Sequence, residues 1–148
     1  MNKIVQRIIP GIVFGSRLDL KGMVCSPDPK EELKKVLKSR IEKINQNVGA
    51  FKVLINEIQY HDDIMNEYTG QFVPKAIKMV EEYFELGISK GIFRQMDSHT
   101  AARSMIGMMA TIVLERNVLK RPIDLDRELD IVLDIFFNGI YAEKEGEI

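Results

Sequence analysis

The stretch DSHTAARSMIGMMATIVLERNVLKRPIDLDRELDIVLDIFFNGIY, Asp97 to Tyr141, decides the fold, because it reads as two helical patterns hinged at Lys120-Arg121-Pro122. In the second pattern, apolar residues fall at Leu125, Leu129, Ile131, Val132, Leu133, Ile135, Phe136, Phe137 and Ile140. At 3.6 residues per turn they cover roughly 240° of a helix, about twice the stripe that one core buries. Leaving two or three of the surplus side chains wet would forfeit roughly 3–9 kcal/mol. That rivals the whole stability of a domain of this size. The spacing therefore predicts a C-terminal helix that packs inward on its own chain and outward on a second copy.

The first pattern begins at Asp97 or Ser98 as a cap and carries Ala101, Ala102, Met105, Ile106, Met108, Met109, Ile112 and Val113. These span roughly 160°, with Gly107 permitting close approach by a neighbour. Further upstream, a long pattern runs from Asp62 or Asp63 through Ile64, Tyr68, Phe72, Ala76, Met79, Val80, Tyr83, Phe84 and Gly87 to about Lys90. Gly70 and Pro74 interrupt it. Proline removes an amide donor and clashes with the carbonyl four residues back, so a kink is expected beside Tyr68 and Phe72. Gly91 closes this helix. Before it lies a short amphipathic pattern, Ala50 to Tyr60, with Phe51, Leu54, Ile55 and Ile58 on one side.

Ser26-Pro27-Asp28-Pro29 is punctuation with a mechanism: Asp28 caps, Pro29 suits the first helical position and Glu31 completes a capping box. The helix that follows keeps Leu33, Val36, Leu37, Ile41 and Ile44 in register to Val48, and Gly49 is its expected stop. Its other face carries Lys34, Lys35, Lys38 and Lys43. Glu31, Glu32 and Glu42 interleave with them, so this reads as a solvated face and not as a nucleic-acid patch. The opening residues to about Met23 mix apolar side chains with Pro10, Gly11, Gly15 and Gly22, which predicts a kinked helix. No convincing strand and no internal repeat occurs. The fold class is all-α: five or six helices in an antiparallel bundle. Residues 1–25 are expected to form a connecting helix and residues 26–148 the main domain.

Composition narrows the function. Among 148 residues, 21 basic side chains face 22 acidic ones, so the net charge of -1 gives no general attraction for phosphate backbones or anionic membranes. The single cysteine, Cys25, excludes an intrachain disulfide and fits a reduced, cytoplasmic compartment. Lys3 and Arg7 precede an apolar run that superficially resembles a signal peptide, but Pro10-Gly11 breaks it and no small-x-small cleavage pattern follows. No stretch reaches the ~20 apolar residues that cross a bilayer.

Catalytic patterns are hard to find. His61 and His99 both sit at helix boundaries, and neither His-Glu-x-x-His nor a di-iron Glu-x-x-His pair occurs. Glu57, His61 and Asp62 lie close enough for a weak metal site, yet turn residues are the better reading. Gly87 and Gly91 lack the lysine and hydroxyl of a phosphate loop. Neither an enzyme nor a cofactor is expected. Methionines are more suggestive: Met105, Met108 and Met109 share one helix face, and the long helix adds Met65 and Met79 among aromatics. Such thioethers either fill core gaps or line an adaptable apolar pocket. Arg116 falls toward the apolar side of its helix by phase, as a ligand anchor or a snorkelling side chain.

Glu85-Leu86-Gly87-Ile88-Ser89-Lys90-Gly91-Ile92-Phe93-Arg94, followed by Met96-Asp97, Ala101-Ala102 and Gly107, and the closing Leu133-Asp134-Ile135-Phe136-Phe137-Asn138-Gly139-Ile140, resemble the C-terminal, effector-binding half of the TetR family of transcriptional regulators. The resemblance covers about four-fifths of the chain. It implies a homodimer joined by a four-helix interface of the last two helices, here through Ile106, Val113, Val132, Ile135, Phe136, Phe137 and Ile140. It also implies a pocket for a small, hydrophobic effector, with Phe51, Ile55, Tyr68, Phe72, Met79, Tyr83, Met105, Met108, Met109 and Ile112 as candidate lining. Residues 1–23 are too short for the family's DNA-reading helix-turn-helix, so DNA contact is expected only through an N-terminal domain missing here. The alternative reading is a helical dimerisation or partner-capture module without a small-molecule ligand.

Overall fold

The computed structural model describes residues 18–49, 52, 53, 56, 60 and 73–139. Among them are five helices and no strand, an all-α bundle. They are α1 Leu20–Val24, α2 Pro29–Gln46, α3 Val73–Ser89, α4 Ser98–Asn117 and α5 Leu125–Asn138. Four of the five described helices have an aspartate N-cap. Asp19 accepts from the Gly22 amide at 3.0 Å, Asp28 from Glu31 at 3.2 Å, Asp97 from Thr100 at 2.9 Å and Asp124 from Arg127 at 3.3 Å. Four orphan amide groups thereby find partners within one turn.

Pro29 occupies the first position of α2 as its missing amide donor allows. The helix stops at Gln46, slightly before the expected Val48, because Asn47 caps it by donating its side-chain Nδ2 to the Lys43 carbonyl at 2.9 Å. At the end of α3, Ile92 donates its amide to the Gly87 carbonyl at 2.9 Å and Gly91 donates to Ile88 at 3.0 Å. Gly91 turns there at φ 71°, a conformation that favours glycine. The result folds Phe93 back over Gly87, and the chain reverses into α4. Of the long pattern expected from Asp62, α3 is the described part, with Pro74 in its first turn. The kink expected near Gly70, and the short helix expected over Ala50–Tyr60, fall mostly outside the described residues, as do residues 1–17 of the connecting segment.

Two apolar clusters form the interior. In the first, Met23 and Val24 of α1 meet Leu33 of α2, Tyr83 and Phe84 of α3, Ala101, Ala102 and Met105 of α4, and Leu133 of α5. In the second, Ile41 and Ile112 meet Leu125, Leu129 and Val132. Leu33 therefore shares a neighbourhood with Met105, and Ile41 with Ile112, so α2 and α4 run in the same sense with α3 antiparallel to α4.

The lysine face of α2 is not simply solvated. Lys30 lies 3.8 Å from Asp134, Lys34 2.9 Å from Asp130 and 3.7 Å from Asp126, and Lys38 2.9 Å from Asp126. Lysines and aspartates each repeat every four residues, so two antiparallel helices present facing stripes of opposite charge. α5 is joined to α2 by this ladder above the apolar contact.

Candidate functional site

Between α2, α3 and α4 lies a cavity of about 440 Å³, within the range of small-molecule sites. α2 contributes Val36, Leu37, Arg40, Ile41 and Ile44 to its wall, α3 contributes Ala76, Met79, Val80 and Tyr83, and α4 contributes Met105, Ile106, Met109, Ala110 and Val113. Leu20 and Met23 bring α1 against one end, and Val48, Lys52, Asn117 and Val118 stand at the other. From Met105 to Val118 the wall follows α4 for roughly 20 Å at 1.5 Å per residue. The cavity is thus a slot, long and apolar.

Its polar groups are few. Arg40 is half-buried, and burial holds its guanidinium below the ordinary value. Lys52 is exposed, while Asn117 donates its side-chain amide to the Val113 carbonyl at 3.1 Å. Tyr83 is only 3% exposed, and burial pushes its phenol well above the ordinary range. Its hydroxyl has no hydrogen-bond partner among the described residues. The ring itself is well packed, 5.4 Å from Phe84 edge-on and 5.5 Å from Phe93.

Of the residues the sequence suggests for a ligand, Met79, Tyr83, Met105 and Met109 line this slot. Met108 and Ile112 instead pack with Leu125, Leu129 and Val132 toward α5. Met108 stands about 100° around the helix from Met109, which turns it out of the slot. Phe51, Ile55, Tyr68 and Phe72 lie outside the described residues. The α2 wall, including Arg40, was not singled out by the sequence, because a stripe that faces a cavity has the same helical period as one that faces a core.

The expected interface residues also divide. Ile106 and Val113 line the slot, and Val132 is buried within its own chain. Phe136 and Phe137 are half-buried in an aromatic cluster, 6.1 Å from Phe84 and 5.6 Å from Phe93 respectively. Ile140 lies outside the described residues. Ile135 is 40% exposed, and Ile131, one turn away, 43%. On α5 the surplus apolar face is therefore this pair, since the interior absorbs most of the 240° arc. Leu114, Val118 and Leu119 are exposed at the end of α4.

Arg116 does not line the slot; one of its guanidinium nitrogens is buried without a partner among the described residues. No group of three His, Cys, Asp or Glu side chains suited to a metal occurs among the described residues, and the Glu57, His61 and Asp62 trio lies outside them. Cys25 is exposed. No described helix is long and apolar enough to cross a membrane.

No family model matches the sequence, and no curated protein matches it. Among solved structures, a Clostridium perfringens protein provisionally described as a fatty acid metabolism regulator is similar, with a TM-score of 0.71 and 20% sequence identity over 96% of this chain and 75% of that one. At that identity the likeness is one of fold, an all-α bundle shared with a regulator's structure.

Proposed function

We propose that this chain is the effector-sensing and dimerisation domain of a TetR-like transcriptional regulator, and that its effector is an elongated, largely apolar small molecule. The slot carries this reading: an interior walled mostly by aliphatic and thioether side chains over three helices accommodates an apolar chain. The fold likeness to a protein described as a regulator of fatty acid metabolism supports the same class of ligand. DNA contact, in this reading, is made by a separate head domain.

The mechanism is a population shift. An occupant held between α2, α3 and α4 also touches α1, whose Leu20 and Met23 belong to the wall. An effector that favours one arrangement of α1 against α4 moves the segment preceding α1, and roughly 1–3 kcal/mol of coupling is sufficient for regulation. A partner copy, docked on the exposed Ile131 and Ile135 stripe, converts that movement into a change of spacing between two heads.

The hydrocarbon fluorophore diphenylhexatriene, a rod that emits strongly only in apolar surroundings, tests the slot. It should bind saturably to the wild-type protein and to Met109→Leu, and lose most of its emission with Met109→Trp, whose indole fills the space. Equal binding to a folded Met109→Trp would place the dye elsewhere and defeat the proposal.

A further inference from the structure

Tyr83 is more than part of an apolar wall. Its ring is fully used by Phe84 and Phe93, and a phenylalanine would pack there as well. The hydroxyl is therefore left unexplained by packing, and a buried hydroxyl without a partner destabilises the protein that carries it. Along the slot, Tyr83 belongs to the end shared by Met23, Leu33 and Met105, all buried and none polar. The cationic side chains of the wall lie further along: Arg40 is about 10 Å up α2 from Leu33, and Lys52 is beyond Val48.

Resting on the slot reading above, we infer that Tyr83 is a specificity-determining hydrogen-bond donor that selects effectors bearing an uncharged oxygen at the inner end of an apolar chain, such as an alcohol, ketone or ester. A neutral oxygen accepts the phenolic hydrogen and removes the unsatisfied group. A carboxylate at the same place would sit among Met23, Leu33 and Met105 with no countercharge beside it among the described residues, which a buried anion does not tolerate. Burial also raises the phenol above its ordinary value, so it stays protonated and able to donate at neutral pH.

The test compares wild type with Tyr83→Phe, using diphenylhexatriene as reporter and 1-decanol and decanoate as competitors. The dye, which has no polar atom, should bind both proteins alike. 1-Decanol should displace it about three- to tenfold less effectively from Tyr83→Phe, the loss of one neutral hydrogen bond, whereas decanoate should displace it equally from both. Without ligand, Tyr83→Phe should melt at a higher temperature than wild type. Equal displacement by 1-decanol, an equal loss for decanoate, or a lower melting temperature of the variant would overturn the assignment of Tyr83 while leaving the slot intact. Failure of the dye to bind either protein would overturn the slot itself, and this inference with it.

Discussion

Gly87 and Gly91 do different work four residues apart. A Cβ added at Gly87 would overlap the Phe93 ring, which is held in place by Tyr83, Phe84 and Phe137. Gly87→Ala should therefore force the aromatic cluster apart and lower the unfolding free energy by about 1–3 kcal/mol in urea denaturation. At Gly91 a Cβ would meet open space, so the penalty is only that of a left-handed backbone, about 1–2 kcal/mol for Gly91→Ala. The stop at Gly91 was legible from its position after the last apolar residue of the pattern. The need for glycine at position 87 was not, since it depends on where Phe93 lands after the reversal.

At the scale of elements, α2 and α5 are joined through the Lys30, Lys34, Lys38 and Asp126, Asp130, Asp134 ladder. The Lys38 hydrogen bond holds the Asp126 carboxyl below its ordinary 3.8, and hydrogen bonds to Asp130 and Asp126 hold Lys34 and Lys38 above 10.5. A depressed acid contributes stability above 3.8 that is lost as pH falls through its lower folded value. A raised lysine contributes stability below 10.5 that is lost as pH rises through its higher folded value. The ladder's contribution should thus be level from about pH 4 to 10.5 and fall on either side. Asp126→Asn should lower the melting temperature by only about 1–3 °C and reduce its sensitivity to salt, because these are exposed pairs. The lysine repeat was visible in the sequence, but its partners lie 88 or more residues away, and only the antiparallel packing of α5 brings the two stripes together. On α5 the helical period correctly marked an apolar excess. The interior takes Leu125, Leu129, Val132 and Leu133 and half-buries both phenylalanines, leaving Ile131 and Ile135. If that pair seats a second copy, Ile131→Glu with Ile135→Glu should give a folded monomer in light scattering, whereas a substitution at Phe136 should unfold the aromatic cluster.

Among the described residues, the slot exists because three helices converge without filling the space between them. Their apolar stripes were legible: Met79 lies on that of α3 and Met105, Met108 and Met109 on α4, and the all-α class followed from periodicity and caps. The slot itself was not, for periodicity reports which face turns inward and not whether the inward faces touch. Met108 shows the limit: it packs against the second cluster and does not line the slot, whereas Met109, one residue on, does both. Methionine methyl groups make this division measurable. In a spectrum of the protein labelled at methionine methyl carbons, titration with 1-decanol should move the signals of Met23, Met79, Met105 and Met109 and leave those of Met96 and Met108 in place. Shifts confined to Met96 and Met108, or no shift at saturating 1-decanol, would contradict an apolar effector slot between α2, α3 and α4.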